Sequence, residues 1–194
     1  MLVLASQSPR RREILERAGF ELSVRVSGVP EERLLGELAV AYVRRLASAK
    51  AAAVTRGPSE IVLGADTVVV LGDEVLEKPR DNAHATEMLL MLSGAEHRVI
   101  TGICLRYQGG HVCDSAETAV RFAPLSRTEI DEYVRSGEPM DKAGAYAIQG
   151  LAAKFIERID GCYFNVVGLP LSLVYRHLKQ IGVGLMPARN LPMY

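Results

Sequence analysis

The chain has 194 residues, of which 48% are hydrophobic and 24% charged, so it can bury a substantial core and is not expected to be disordered. Lysine plus arginine and aspartate plus glutamate number 23 each, and this net charge of zero argues against nucleic-acid binding through a general excess of positive charge. The three cysteines match no zinc spacing and predict reduced thiols in a cytoplasmic protein, and no apolar run approaches the ~20 residues of a membrane span.

Hydrophobic patterning in the first half of the chain predicts strands that alternate with helices. Residues 1–6 predict a short buried strand, and Pro9 suits the first turn of a helix that ends before Gly19. The next predicted elements are a strand at 21–27, a helix at 37–55, a strongly apolar strand at 60–71, and a hairpin strand that begins at Glu74 after a turn at Gly72 and Asp73.

The second half adds a long hairpin and three helices. Asp81 or Asn82 can cap one helix, and a capping box formed by Ser126 and Glu129 opens another. The remaining predictions are hairpin strands at 97–107 and 111–123, short strands at 145–149 and 153–159, and a last helix at 169–181. Because hairpins occur beside helix-linked strands, we expect an α/β fold with a mixed sheet.

The segment SQSPRR at 6–11 leads from the first strand into the first helix. A helix N-terminus offers unpaired N–H groups and partial positive charge, and it therefore binds anions. Arginines in the first turn oppose the helix dipole, so local stability does not explain them, whereas an anionic ligand would. From this stretch alone the alternative stays open, a serine-capped helix with an exposed basic first turn.

The segment GADT at 64–67 places a carboxylate inside the most apolar predicted strand. Burying a carboxylate is costly unless it meets a cation or a metal, so Asp66 is a candidate metal ligand or general base. Gly64 and Ala65 would let a ligand approach the backbone there. The alternative, an aspartate that caps a turn at the end of its strand, is disfavoured because the apolar run continues through Leu71.

Other polar residues are weaker candidates when each is taken singly. Lys50 and Lys78 stand alone, and a lone lysine is usually a solvated surface residue, although Lys50 has small or apolar neighbours. Gln149 carries an amide that both donates and accepts hydrogen bonds and so matches the edge of a nucleobase, but a turn-closing role is equally compatible. The segment 160–170 and His97 are expected to be structural.

Seven segments together resemble the Maf family, also called septum-formation proteins, which are nucleoside triphosphate pyrophosphatases. They occur in family order over residues 2–175, and they are LASQSPRR, LASAKA, GADTVV, LEKP, SGAEHRVITG, EPMDKAGAYAIQG and DGCYFNVVGLPL. The resemblance implies an α/β fold like that of inosine-triphosphate pyrophosphatases, with an elongated mixed sheet, flanking helices and two lobes around a cleft. It also implies one Maf-like domain over 1–182, followed by a tail at 183–194, and usually a homodimer.

The same resemblance implies hydrolysis of a nucleoside triphosphate to its monophosphate and pyrophosphate with a divalent metal, Mg²⁺ or Mn²⁺. It implies that Asp66 is the general base and that Asp66 and Glu31 hold the metal. Phosphate binding is implied for Ser6, Arg11, Lys50 and Lys78, and substrate specificity for Arg10, Thr67 and Gln149. The last three residues look like those of the branch that acts on dTTP and UTP. Glu77 departs from the family pattern, which commonly has glycine there, and adds a negative charge beside Lys78.

Three other interpretations stay open from the sequence. The chain could act on modified pyrimidine triphosphates, or it could be a nucleotide-binding module that regulates cell division, with Arg10 and Arg11 as a binding patch. It could also bind nucleic acid, which the neutral charge disfavours. The leading expectation is a cytoplasmic enzyme that cleans the nucleotide pool, with a nucleoside triphosphate as its partner and neither nucleic acid nor a membrane.

Overall fold

The computed structural model describes residues 1–182, and the predicted tail at 183–194 lies outside the described residues. Within that part, a seven-stranded sheet is flanked by α-helices, none of which is long and apolar enough to cross a membrane. The strands are β1 (Leu2–Leu4), β2 (Leu22–Val24), β3 (Ile61–Leu71), β4 (Glu74–Leu76), β5 (Glu96–Tyr107), β6 (Gly110–Phe122) and β7 (Ile156–Asp160). The helices are α1 (Pro9–Arg17), α2 (Ala39–Ala53), α3 (Asn82–Leu92), α4 (Arg127–Arg135), α5 (Tyr163–Val167) and α6 (Leu171–Gln180).

The sheet is mixed, as the hairpins predict, and its order is β2-β1-β3-β5-β6-β7 with β4 beside β3. β1 pairs in parallel with β2 and β3, and the other pairs are antiparallel. One apolar cluster, which includes Leu89 and Phe122, packs between the sheet and helices α3 and α4. Another, which includes Leu15 and Val174, packs under α1 and α6.

The central strand, β3, has different neighbours at its two ends. β1 pairs with residues 61–63 of β3, whereas β4 pairs with residues 69–71. β5 covers the opposite edge of β3 over residues 62–70. Residues 64–68 therefore lack a strand neighbour on the β1 and β4 edge within the described chain, and a cleft opens at this gap.

Helix α2 packs very closely on β3 and β5 because two glycines remove the side chains that would separate them. A Cβ atom at Gly64 would lie 2.1 Å from the carbonyl oxygen of Ala47, and one at Gly102 would lie 2.4 Å from that of Val43. The sequence predicts a ligand against Gly64, but the helix occupies that space instead. The close packing brings Lys50 of α2 over β3.

The predicted strand at 145–149 is wrong, because the chain there forms the end of a 3₁₀ segment followed by turns. Gly144 and Ala145 have φ values of 68° and 59°, a left-handed conformation that a strand does not contain. The strand predicted at 153–159 exists as β7 but begins later, since Leu151–Phe155 is another 3₁₀ segment.

The prediction of reduced thiols is wrong for two of the three cysteines. Cys104 of β5 and Cys113 of β6 face each other across the hairpin with Cα atoms 4.1 Å apart, and they form a disulfide. The physical reason is the hairpin register, which brings residues nine positions apart into a facing pair and which cysteine spacing alone does not reveal. Cys162 is free.

Candidate active site

A cleft of about 700 Å³ opens where β3 lacks a strand neighbour. All nine residues that the family resemblance implicates lie in its lining, so the fold brings together groups that are far apart in the sequence. The lining comprises residues 5–11, 26–29, 31, 66–69, 77–78, 140–143, 146–149 and 166–168, together with Tyr42, Lys50 and Val99.

Lys50 and Asp66 form a buried ion pair in this cleft. The Lys50 ammonium nitrogen lies 2.6 Å from Oδ1 of Asp66 and 2.5 Å from Oε1 of Glu31, so one cation is held between two carboxylates. Asp66 is 7% exposed and Lys50 is 6% exposed. Asp66 shares a face of β3 with Gly64, two residues earlier, and that face is the one covered by α2.

The two carboxylates differ in how firmly they bind a proton. Burial raises the pKa of Asp66, and the positive charges of Lys50 and Arg11 oppose this shift without cancelling it. Burial also acts to raise the pKa of Glu31, but hydrogen bonds and charge from Lys50 and Lys78 prevail and lower it to about 2. Glu31 is therefore the firmly ionised carboxylate, and Asp66 is the one whose affinity for a proton is raised.

Arg11 connects three parts of the cleft wall through its guanidinium group. The group donates to the carbonyl oxygens of Ala65 and Gly168, at 2.9 and 2.8 Å. It also donates to the hydroxyl oxygens of Ser6 and Thr67, at 3.1 and 3.0 Å. Arg11 thus supplies the partner that Ala65 lacks at the open edge of β3. These four bonds leave one of the five guanidinium N–H groups for a ligand.

The three consecutive arginines have three different environments. Arg11 is buried, and burial lowers its pKa. Nη1 of Arg10 lies at the cleft, 3.4 Å from Oδ2 of the exposed Asp141. Arg12 faces solvent and pairs with Glu16 one helical turn later, at 2.6 Å. The sequence leaves open the alternative that these arginines form an exposed basic first turn. That alternative is right for Arg12 and wrong for Arg11.

Gln149 also lines the cleft, and its side chain is exposed. Its amide makes no hydrogen bond to any of the described residues, so both its donor and its acceptor are available to a ligand. Thr67 is different, because its hydroxyl contacts Arg11 at 3.0 Å and the hydroxyl of Thr101 at 2.9 Å. Gln149 is placed to contact a ligand, whereas Thr67 is placed to shape the wall.

Tyr42 is a residue of the cleft that no sequence motif marks. Its ring is buried, and its hydroxyl oxygen lies 2.8 Å from Oε1 of Glu77 and 3.1 Å from the carbonyl oxygen of Glu31. Burial, reinforced by the hydrogen bond to Glu77, raises the pKa of Tyr42, so its hydroxyl keeps its proton. The available signal is helical spacing, since Tyr42 and Lys50 lie eight residues apart on one face of α2.

The carboxylates of the cleft suit a hard divalent cation. Mg²⁺ prefers oxygen ligands and is usually held by one or two carboxylates together with phosphate groups. Asp66 and Glu31 offer two such carboxylates around a single point, which the Lys50 ammonium fills. Among residues 1–182 no group of three or more His, Cys, Asp or Glu side chains is arranged to hold a metal, so substrate oxygens would have to complete the site.

Comparison with known proteins gives matches over nearly the whole chain. The family described as Maf-like protein matches residues 1–181. A dTTP/UTP pyrophosphatase of Koribacter versatilis is 48% identical over 183 residues, which cover 94% of this chain and 95% of that protein. A dTTP/UTP pyrophosphatase of Symbiobacterium thermophilum is 52% identical over 182 residues, which cover 93% of this chain and 94% of that protein. The solved structure of a HAM1 protein from Coxiella burnetii shares the fold, with 16% identity, a TM-score of 0.51, and 92% of this chain and 98% of that chain covered.

Proposed function

This chain belongs to the Maf family, as its seven segments indicate, and we propose that it hydrolyses dTTP and UTP to the nucleoside monophosphate and pyrophosphate. The two relatives above are named for that activity, and the alignment spans nearly their entire length. The likeness to the HAM1 protein supports the α/β fold with its mixed sheet and flanking helices.

The observation that carries the proposal is the buried ammonium group of Lys50 between Asp66 and Glu31. A triphosphate is strongly anionic, and a chain with zero net charge must gather positive groups locally in order to bind it. Lys50 and Lys78 already meet at Glu31, since Nζ of Lys78 lies 3.0 Å from Oε2 of that residue. Phosphate oxygens would take the place of the carboxylates as partners of these two ammonium groups.

Ser6 and Arg11 complete the assignment of phosphate-binding residues. Ser6 lies in the turn between β1 and α1, and Arg11 lies in the first turn of α1, where the N–H groups of a helix N-terminus favour anions. Arg11 has one N–H left for a phosphate oxygen after its four bonds to the protein. Its main contribution is then to hold the turn in the shape that binds the phosphate.

A divalent cation, Mg²⁺ or Mn²⁺, fits between Asp66 and Glu31 together with phosphate oxygens. When bound, it neutralises negative charge on the phosphates and on the leaving pyrophosphate. Glu31 suits this role because it is already ionised in the free protein, where Lys50 and Lys78 lower its pKa to about 2. Lys50, displaced from the carboxylates, remains near enough to pair with the phosphates.

Asp66 acts as the general base in the proposed reaction. Its carboxylate takes a proton from a water molecule while the water oxygen forms a bond to the α-phosphorus. The bond between that phosphorus and the bridging oxygen breaks, and pyrophosphate leaves with the electron pair. Burial favours this role because it raises the pKa of Asp66, and Oδ2 accepts no hydrogen bond from the described residues.

Base discrimination is assigned to Arg10, Thr67 and Gln149. The free amide of Gln149 matches the carbonyl and N–H groups on the edge of uracil or thymine, because it can accept and donate at once. Arg10 contributes a cation at the mouth of the cleft. Thr67 contributes by shaping the wall of the cleft, because its hydroxyl accepts a hydrogen bond from Arg11 and is held in place.

We further propose a cytoplasmic homodimer whose subunits are single domains over residues 1–182. The exposed side chains of Leu34, Leu35 and Leu38 support self-association, because isolated chains seldom expose several large apolar groups close together. A nucleotide substrate supports a cytoplasmic location. Light scattering on the purified protein tests the dimer, and a solution mass equal to the chain mass of 21.1 kDa would rule it out.

Chromatographic analysis of products from dTTP, UTP, CTP and 7-methyl-GTP tests the proposed activity. We expect monophosphate and pyrophosphate from dTTP and UTP, little product from the other two, and a loss of turnover on chelation of divalent metal. Nucleotide binding without pyrophosphate release would favour the non-catalytic interpretation. Faster hydrolysis of a modified pyrimidine triphosphate in the same assay would change the assigned substrate.

A further inference from the structure

Glu77 and Glu31 are linked through the hydroxyl group of Tyr42. The hydroxyl oxygen lies 2.8 Å from Oε1 of Glu77 and 3.1 Å from the carbonyl oxygen of Glu31. Both partners are acceptors and the phenol has a single proton, so the hydroxyl of Tyr42 donates to the two oxygens together, in a three-centre hydrogen bond. One buried side chain therefore connects the backbone of the cleft loop to a carboxylate on a different wall.

The loop that carries Glu31 needs such an anchor. Residues 25–38 contain no helix or strand, and the Glu31 side chain is 41% exposed. The backbone of this part of the loop is fixed to α2 by the hydroxyl of Tyr42 and by Arg45, which donates to the carbonyl oxygen of Glu32 at 2.8 Å. Of these two contacts, the one made by Tyr42 acts on Glu31 itself.

The backbone of Glu77 is well fixed, so its side chain can hold the hydroxyl group of Tyr42 in position. It follows β4 directly, and its carbonyl oxygen accepts a hydrogen bond from the backbone N–H of Gly144 at 3.1 Å. A direct role as a third metal ligand is disfavoured, because the described residues include no group of three carboxylates arranged for a metal. Glu77 therefore affects the site through the contact between its side chain and the Tyr42 hydroxyl.

We propose that Glu77 is a positioning residue that acts through Tyr42 to hold the Glu31 carboxylate in place for the divalent cation. The inference rests on the proposed function, because it takes the cation to bind at Glu31 and Asp66. Loss of either member of the link frees the loop, so the carboxylate must be ordered when the cation binds. Affinity for the cation then falls, while the chemistry at Asp66 is unchanged once the cation is bound.

Binding of Mn²⁺ tests the inference without requiring turnover. Isothermal titration calorimetry measures the Mn²⁺ dissociation constant in the presence of a methylene-bridged, non-hydrolysable UTP analogue, for the wild type and for Glu77→Gly, Glu77→Gln and Tyr42→Phe. We expect a rise of about tenfold for Glu77→Gly and Tyr42→Phe, as is typical of lost outer contacts to metal ligands, and a smaller rise for Glu77→Gln. In parallel, kcat at saturating Mg²⁺ stays close to that of the wild type.

The double variant separates action through Tyr42 from an independent effect of Glu77. If the link is real, Glu77→Gly adds nothing to the dissociation constant once Tyr42→Phe is present. Glu74→Gln, an exposed carboxylate change on the neighbouring strand β4, is the matched control and should leave the constant unchanged. Thermal unfolding of each variant verifies that it is folded.

The inference would be overturned by an unchanged Mn²⁺ dissociation constant in Glu77→Gly, or by effects of Glu77→Gly and Tyr42→Phe that simply add. A wild-type protein that binds no Mn²⁺ beside the analogue would also overturn it. Failure of the proposed function is recognised separately, since it would appear in the wild type as absence of pyrophosphate release. The calorimetric comparison among variants does not depend on that activity.

Discussion

Nζ of Lys50 lies 2.6 Å from Oδ1 of Asp66, and both side chains are buried where α2 packs on β3. The pair exists because Gly64 and Gly102 let the helix touch the sheet, which places the lysine directly over the strand residue. A buried ion pair of this kind contributes little net stability, because desolvation of the two charges offsets their attraction. Its retention in a cleft is better explained by the binding of an anionic substrate.

Asp66→Asn should lower turnover severely and preserve the fold. Asparagine has nearly the same shape and can accept the hydrogen bond from Lys50, but it cannot take a proton from water. We expect kcat for UTP to fall by about 10³-fold, within the range usual for loss of a general base, while UTP still binds. Asp131→Asn, on the solvent face of α4, is the control, and a near-normal kcat in Asp66→Asn would refute the assigned role.

Lys50→Met should destabilise the protein, because it leaves Asp66 and Glu31 facing each other without their shared cation. Removal of one member of a buried pair typically lowers the free energy of unfolding by about 3 kcal/mol. Urea denaturation measures the loss, with the exposed Lys78→Met as a matched control that should change it by less than about 1 kcal/mol. If Lys50→Met and Lys78→Met lowered the free energy of unfolding equally, the burial of Lys50 would not be the cause of the loss.

Arg11→Lys should impair both stability and substrate binding even though the charge is kept. A lysine ammonium cannot reproduce the planar fork that reaches Ala65, Gly168 and Thr67 together. We expect the free energy of unfolding to fall by about 2 kcal/mol and KM for UTP to rise. Arg12→Lys, one residue later on the solvent face, should be neutral in both measurements, and matching losses in the two variants would contradict the account.

Stability should depend on Glu31 between about pH 4.5 and pH 2. The folded-state pKa of Glu31 is lowered from 4.5 to about 2, so its contribution is present above 4.5 and is lost as the pH falls through 2. Urea denaturation at pH 7, 4.5 and 3 should therefore show that the free energy of unfolding falls less with decreasing pH in Glu31→Gln than in the wild type. Glu37→Gln provides a comparison at a carboxylate outside the cleft, whose pKa is also lowered to about 2. An unchanged pH dependence in Glu31→Gln would contradict the assigned pairing.

Much of the fold follows from local patterns in the sequence. The apolar run at 60–71 marks the central strand, and Asp66 within it is conspicuous because a buried carboxylate needs a partner. Signals at helix ends were equally informative, since Asp81 caps α3 and Ser126 forms the predicted capping box with Glu129. These features depend on residues near one another in the chain.

The remaining features depend on contacts between distant residues. The sequence predicts Arg11 as a ligand for phosphate, but it does not predict the bonds of Arg11 to Ala65 and Gly168, because these residues lie 54 and 157 positions away in the chain. The apolar composition of residues 145–149 favours a strand, and the positive φ of Ala145 is one that an alanine rarely adopts and that residue type therefore does not predict. Tyr42 has no motif, and its role depends entirely on where α2 docks.

Hydrolysis of UTP in water enriched in ¹⁸O tests the central claim most directly, namely that Asp66 activates a water molecule toward the α-phosphorus. Mass spectrometry of the products locates the oxygen that comes from water. The wild type should place one ¹⁸O atom in UMP and none in pyrophosphate, and Asp66→Asn should form labelled UMP about 10³-fold more slowly. Label in pyrophosphate, or release of orthophosphate with UDP, would contradict the claim.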